Sequence, residues 1–206
     1  MVKKYSLMYN GTNNITEHFK VKEFASFKGK IVYSDDVLID TLITSILEKL
    51  FEYLNAYKIV ITSGYRTNAH ELSLPGGVKN GYHTKGMAVD INVWKNKTER
   101  YTSKEICLAL EDLGWNHGIG IISNTAVHID SRSNKYWFDE RNHCKSIGDS
   151  FYTFYGVKKE NPVHEAIDKL SRKGIIDSAA FWKENYNKEV ILQYIDDLLI
   201  KFASNI

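Results

Sequence analysis

Seven residues near the middle of the chain alternate between two kinds of side chain, and this alternation is the strongest constraint on the fold. From Met87 to Val93 the odd-numbered positions are apolar, whereas the even-numbered ones are Ala88, Asp90 and Asn92. Alternation with a period of two is typical of a β-strand that buries one face. We therefore predict a strand here, with Asp90 pointing away from the apolar side.

A second segment, T-A-V-H-I-D at 125–130, alternates in the same way. It places His128 and Asp130 on one face and the large apolar residues on the other. If the two strands lie in one sheet, their polar faces bring Asp90, His128 and Asp130 together. This geometric prediction follows from the period of two alone.

A histidine precedes Asp90 across a glycine turn, in the stretch Y-H-T-K-G-M-A-V-D. Taken singly, His83 in a loop is usually exposed to solvent, and an aspartate in a strand can simply face water. Together with His128 they form a set of nitrogen and oxygen donors that a catalytic zinc ion accepts, with three protein ligands and one position for water. The sequence therefore predicts a metal site at His83, Asp90 and His128, and with it a hydrolase.

Three further residues are candidates for chemistry beside such a site. Arg66 follows a predicted strand that is rich in β-branched residues. By itself it is expected to be a surface arginine, but beside a metal its planar guanidinium can hold a substrate carboxylate or carbonyl oxygen. Asp130 either binds Arg132, caps a turn, or acts as a general base or as a partner of His128. His117, next to a glycine, is a candidate for lining the cleft.

The rest of the first 156 residues is predicted to mix helices and short strands. A long helix is expected from Asp35 to Leu54, where apolar residues recur every fourth position and Ser34 can cap the first turn. An irregular loop is expected from Thr67 to Tyr82, and a second helix from a capping box at Thr102 to about Leu113. The G-I-G-I-I segment adds a further strand.

The character of the chain changes after Gly156, which predicts a second domain. We expect a main domain at 1–156, a linker at 157–162 and a small helical module at 163–206. Helical segments are expected at Val163–Lys173, Ala179–Tyr186 and Glu189–Ala203. A module of this size is near the lower limit for folding alone, so it either docks on the main domain or forms a homodimer.

Composition excludes several classes of partner. Lys and Arg number 27 against 25 Asp and Glu, a net charge of +2 that gives no support for nucleic-acid binding or an electrostatic membrane anchor. No segment has the apolar run of a secretory signal or the roughly 20 apolar residues of a membrane span, so we expect synthesis in the cytoplasm without a signal peptide and no membrane insertion. Cys107 and Cys144 lack C-x-x-C spacing, and buried free thiols are expected, with a disulfide left open.

Three motifs taken in order resemble the M15 peptidases, the group of D-alanyl-D-alanine carboxypeptidases and L-alanyl-D-glutamate endopeptidases that cut peptidoglycan stem peptides. They are T-S-G-Y-R-T at 62–67, H-T-K-G-M-A-V-D at 83–90, and G-I-G-I-I followed by A-V-H-I-D-S-R, which ends at 132. The resemblance implies an α+β fold, a small antiparallel sheet flanked by helices as in Hedgehog and D-Ala-D-Ala peptidases. It implies Zn²⁺ as cofactor, bound by His83, Asp90 and His128.

The same resemblance implies a substrate-binding role for Arg66, with Arg132 and His117 as further candidates for contacts to the peptidoglycan substrate. Many family members place an acidic base three residues before the last zinc histidine, but that position is Thr125 here. We expect Asp130 to be the base instead, because a strand residue two positions further on projects to the same face. The rival interpretation is a zinc-containing wall-binding module without catalysis, as the related Hedgehog signalling domain suggests.

Two further segments resemble parts of phage lysins and other wall-lytic proteins: I-T-E-H-F-K-V-K-E-F-A at 15–25, and the helical sequence that begins at His164. The resemblance implies a phage or prophage endolysin that reaches the bacterial cell wall after release of the holin type. It also implies that the C-terminal module binds the cell wall.

Overall fold

The computed structural model describes residues 1–28, 31–159 and 162–186 and has an α+β fold. The chain forms two compact units, of which the first is Met1–Gly156 and the second begins at Val157. Ten strands lie in the described residues, all in the first unit: β1 (Val2–Ser6), β2 (Phe27–Lys28), β3 (Ile31–Val32), β4 (Asp36–Asp40), β5 (Lys58–Ser63), β6 (Ala88–Trp94), β7 (Gly118–Ile121), β8 (Ala126–Asp130), β9 (Tyr136–Asp139) and β10 (Lys145–Ser146).

Seven α-helices accompany these strands in the described part of the chain: α1 (Leu7–Asn10), α2 (Thr41–Tyr53), α3 (Asn68–Leu72), α4 (Ser103–Asp112), α5 (Phe151–Phe154), α6 (Pro162–Arg172) and α7 (Ala179–Asn185). Short 3-10 helices are present at Val21–Phe24, His83–Lys85 and Glu140–Asn142. The last two of these flank the polar face of the main sheet.

The main sheet has six strands in the order β10, β9, β7, β8, β6, β5. Neighbouring strands are antiparallel except for β7 and β9, which are parallel. Two small antiparallel sheets pair β1 with β4 and β2 with β3. The predicted α+β fold, an antiparallel sheet flanked by helices, is confirmed, and the parallel pair adds to it.

One face of the main sheet forms the core with α2 and α4. Nine residues of this core, from strands and helices, are at most 1% exposed: Val89, Ile91, Val93, Val127, Ile129, Leu47, Leu50, Ile106 and Leu110. Burial of each large aliphatic side chain contributes about 1.5–3 kcal/mol. Because a slip of one residue would move this whole set to the other face, burial fixes the register that places Asp90 and His128 on the opposite side.

The helix predicted from Asp35 begins later than expected. Asp36–Asp40 is strand β4, paired with β1, and the helix starts at Thr41 with the Asp40 side chain accepting a hydrogen bond from the Leu42 N–H. The prediction of Ser34 as the cap was therefore wrong. The five residues D-V-L-I-D fit the period of a helix and also the period of two of a strand. Pairing with β1 near the start of the chain favours the strand.

The segment from Thr67 to Tyr82 is less irregular than predicted. It contains helix α3, whose first turn is capped by the Thr67 side chain. The second predicted helix is confirmed, since α4 begins with the reciprocal capping box of Thr102 and Glu105. Cys107 is a buried free thiol as expected, whereas the free thiol of Cys144 is exposed.

The second unit contains α6 and α7 within its described residues. Both helices agree with the predicted segments at 163–173 and 179–186 to within two residues at each end. A small apolar cluster of Ile167, Ile175 and Ile176 joins them. The third predicted helix, Glu189–Ala203, lies outside the described residues. Among the helices that the structure describes, none combines the length and the apolar character needed to cross a bilayer.

Candidate metal centre

Three predicted ligands converge on the polar face of the main sheet. Asp90 on β6 lies directly opposite His128 on β8, and the two side chains meet with His128 Nδ1 2.8 Å from Asp90 Oδ1. His83 Nε2 lies 3.3 Å from His128 Nδ1 and 3.3 Å from Asp90 Oδ1. The predicted convergence of Asp90 and His128 is confirmed. His83 joins them, and within the described part of the chain these three residues form a group that could hold a metal ion.

His83 reaches the sheet through a single 3-10 turn that ends at Gly86. Gly86 has a φ of +69°, a left-handed conformation that favours glycine, and an added Cβ would overlap with the backbone of Leu38. Both conditions require glycine at this position. The glycine of the H-x-x-G motif is therefore needed for the backbone turn that positions His83.

Two glycines of β7 leave room on the same face. A Cβ added at Gly118 would overlap with the Asp130 carboxylate, and one added at Gly120 would overlap with the Phe138 ring. Gly120 pairs with His128 on one side and with Phe138 on the other. The alternating glycines of G-I-G-I-I thus leave space for the side chains that surround His128.

Each histidine has one ring nitrogen bound to a group outside the cluster, and its other nitrogen faces the remaining members of the cluster. His83 Nδ1 donates to the Gly64 carbonyl oxygen at 2.8 Å, because that oxygen can only accept. His128 Nε2 donates to Asp130 Oδ2 at 3.0 Å. Such partners fix the tautomer and orientation of metal-binding histidines.

The remaining donor set fits a divalent ion. Its atoms are His83 Nε2, His128 Nδ1 and Asp90 Oδ1, which all lie within 4.8 Å of one another. Ligand atoms about 2.0–2.1 Å from a tetrahedral zinc are about 3.3 Å apart. Two of the three separations here are 3.3 Å and the third is 2.8 Å, so the cluster is close to such a site.

The charges within the cluster shift the pKa values of its members. Burial lowers the pKa of His128, but its hydrogen bonds to Asp130 and Asp90 outweigh this effect and raise the pKa to about 9. Burial raises the pKa of Asp90, yet the charge of His83 and the hydrogen bond to His128 bring it well below its ordinary value. Asp90 is therefore an ionised carboxylate at neutral pH.

Arg66 lies beside the cluster and binds Asp90. Its Nη2 donates to Asp90 Oδ2 at 2.8 Å, its Nε to Ser63 Oγ at 2.7 Å and its Nη1 to Glu71 Oε2 at 3.0 Å. These bonds turn Asp90 Oδ1 towards the histidines. The geometry gives Arg66 a role in orienting Asp90 that the sequence did not predict, beside the predicted role in substrate binding.

The partly buried Arg132 and the buried Asp130 form an ion pair next to His128. Arg132 Nε and Nη2 donate to the two carboxylate oxygens of Asp130 at 2.7 and 2.5 Å. The guanidinium carbon lies 4.5 Å from the ring centres of both Tyr82 and Tyr136. Arg132 is thus stacked between two tyrosines and directed at Asp130, and the substrate contact expected for it stays a prediction.

The surroundings of Asp130 do not favour the predicted role as general base. Its side chain is fully buried, and its oxygens accept from His128 and Arg132. Burial raises the pKa of Asp130, but the hydrogen bonds from His128 and Arg132 lower it to about 2. A weakly basic, buried carboxylate with both oxygens in use is better suited to holding His128 in place than to accepting a proton from water.

His117 contacts the backbone of Arg132. Its Nδ1 is 2.5 Å from the Arg132 carbonyl oxygen, and its ring packs 4.4 Å from the Trp115 ring. Among the bonds of the described residues, none joins His117 to a member of the metal cluster. Its predicted place in the cleft stays a prediction.

Glu140 is a carboxylate near the cluster that sequence reasoning missed. It begins the 3-10 turn after β9, and the charges of His128, Asp90, His83 and Arg66 all act on it. The residue is exposed as a whole, but burial of its carboxyl group raises its pKa. The sequence signal was weak because β9 joins the sheet through a parallel pairing that no local pattern reveals.

The family comparison covers the part of the chain that carries the cluster. A family model described as Peptidase M15 matches residues 17–130, which is more than half of the chain. The matched region includes Arg66, His83, Asp90 and His128 and ends at Asp130. No curated protein and no solved structure matches the chain.

Proposed function

The chain belongs to the Peptidase M15 family and is a peptidase, and on that premise we propose that it is a zinc-dependent enzyme that hydrolyses an amide bond in peptidoglycan stem peptides. One observation carries the proposal. Three donors of the type zinc prefers meet on one sheet face, and the second nitrogen of each histidine is already bound by the protein. That arrangement is typical of a preorganised metal site.

A zinc ion held by His83, Asp90 and His128 would polarise the scissile carbonyl group and make water a stronger nucleophile at neutral pH. The protein's own groups prepare the site for this chemistry. Asp130 keeps the proton of His128 on Nε2, and Gly64 keeps that of His83 on Nδ1. Arg66 holds Asp90 Oδ2, so that Oδ1 faces the histidines.

We propose further that the protein acts at the bacterial cell wall as a phage or prophage endolysin, reaching it by release of the holin type. The segments at 15–25 and from His164 onward, which resemble parts of wall-lytic proteins, support this proposal. The second unit would bind the wall or join two copies of the chain through its helices.

The proposed activity is tested by incubating the purified, zinc-loaded full-length protein with insoluble peptidoglycan. We expect soluble stem-peptide fragments, whose masses distinguish cleavage of D-Ala-D-Ala, L-Ala-D-Glu and cross-bridge bonds. A chelator should stop their release. The variant His83→Asn should be inactive because it loses one of three ligands.

A matched control is His18→Asn, since His18 binds Glu48 at the surface of α2 and lies outside the metal cluster. It should cleave as the wild type does. If the zinc-loaded wild type releases no fragment from any stem-peptide bond, the peptidase proposal is wrong, and the non-catalytic wall-binding module becomes the better interpretation.

A further inference from the structure

The cluster needs a proton acceptor, and the neighbouring carboxylates differ in how far they are available. Asp90 is a ligand candidate, and Asp130 is buried with both oxygens in use. Glu71 accepts from Arg66 with one oxygen and from the Val78 N–H with the other. Among the described residues, no hydrogen bond or ion pair engages the carboxylate of Glu140.

Strand register places Phe138, two residues before Glu140, on the face that carries the cluster. Phe138 on β9 pairs with Gly120, and Gly120 pairs with His128. The Phe138 and His128 ring centres are 5.8 Å apart, so both side chains lie on this face. Asp139 retains an extended backbone, so Glu140, two positions after Phe138, returns to the same side.

The intervening residue supports this alternation. The charge of Asp139 acts on the buried thiol of Cys107 in α4, on the opposite face of the sheet. Its carboxylate also accepts from Arg141 at 2.9 and 2.8 Å and from the Asn142 side chain at 2.8 Å. These bonds hold the turn that begins at Glu140, so its backbone position is fixed.

The electrostatic surroundings of Glu140 suit proton transfer. The charged groups that act on it come from every part of the cluster: His128 on β8, Asp90 on β6, His83 in its 3-10 turn, and Arg66 after β5. Burial raises the pKa of Glu140 above its ordinary value, which makes its carboxylate a better proton acceptor. A general base is most effective when its pKa lies near the working pH.

We propose that Glu140 is the general base and acid of this peptidase, an inference that rests on the proposed function. As the oxygen of water bonds to the scissile carbonyl carbon, a water proton passes to the Glu140 carboxylate. As the C–N bond then breaks, Glu140 returns that proton to the leaving amine nitrogen. The proton taken from water is thus the proton given to the amine, so no other proton donor is needed.

The test compares Glu140→Gln with the wild type on a soluble stem peptide. Glutamine keeps the size of the side chain but accepts no proton, so kcat should fall about 10²- to 10⁴-fold with little change in KM. The acidic limb of the pH profile of kcat/KM should disappear. Glu52→Gln, on the exposed side of α2, should leave activity unchanged.

A second readout needs no catalysis. Zinc affinity, measured by competition with a chromophoric chelator, should stay within about tenfold of the wild type in Glu140→Gln, because Glu140 is not a ligand. The thermal unfolding midpoint should also be unchanged, which shows that the variant folds.

Each contrary result has its own meaning. If the wild type cleaves and Glu140→Gln cleaves nearly as fast, Glu140 is not the base, although the proposed function stands. If Glu140→Gln loses zinc as His83→Asn does, Glu140 is a ligand and the inference is wrong. An inactive wild type overturns the proposed function and this inference with it.

Discussion

Asp130 is fully buried beside His128, and both of its carboxylate oxygens accept hydrogen bonds. The period of two put it on the face of His128, and the structure agrees. The Arg132 side chain, stacked between Tyr82 and Tyr136, then binds both of its oxygens. We propose that Asp130 positions His128, and that Arg132 positions Asp130.

The variant Asp130→Asn separates this positioning role from that of a base. Asparagine cannot stabilise the proton on His128 Nε2 as a carboxylate does, so zinc affinity should fall about 10- to 100-fold. When zinc is saturating, the remaining activity should keep the acidic limb of its pH profile. An unchanged zinc affinity combined with loss of that limb would instead identify Asp130 as the base. Chelator competition and pH-dependent kinetics give the two readouts.

At the scale of elements, local pattern predicted the strands that bury one face and the helix with a complete capping box. It did not predict β4, since D-V-L-I-D fits both a strand and the first turns of a helix until β1 pairs with it. It also did not predict β9, whose parallel pairing with β7 depends on residues distant in sequence. Glu140 was missed for the same reason.

Strand β7 supplies a prediction of its own. Gly118→Ala adds a Cβ that overlaps with the Asp130 carboxylate, so this group must move away from His128. We expect zinc affinity to fall about 10- to 100-fold, as for other partners of metal-bound histidines. The control is Gly81→Ala, where φ is not positive and the nearest atom would be 3.3 Å from the Cβ. Equal zinc affinities in the two variants would show that Gly118 has no part in placing Asp130.

At the scale of the whole molecule, the first unit holds both the cluster and an apolar core of its own. The residues of that core lie within 1–156, and a separate cluster holds the described helices of the second unit. The sequence predicted the three residues at the centre of the site, His83, Asp90 and His128. The hydrogen bonds that orient these residues, such as the one from Arg66 to Asp90, were not predicted, because side-chain pairing depends on three-dimensional packing.

Removal of the second unit tests the proposal that the first unit carries the peptidase activity and the second binds the cell wall. A chain of residues 1–156 should bind zinc and cleave soluble stem peptides at nearly the rate of the full chain, because its core and cluster are complete. It should sediment less with intact cell walls. Sedimentation equal to that of the full chain would contradict wall binding by the second unit and favour a structural or dimerising role.

Binding of one divalent ion by His83, Asp90 and His128 is the property on which every catalytic role above depends. The most direct measurement is the metal content of the purified protein after zinc loading and removal of excess ion. We predict one zinc per chain in the wild type and in His18→Asn, and a large loss of bound zinc in His83→Asn. A wild type that retains no zinc, or a His83→Asn variant that retains it fully, would contradict the assignment.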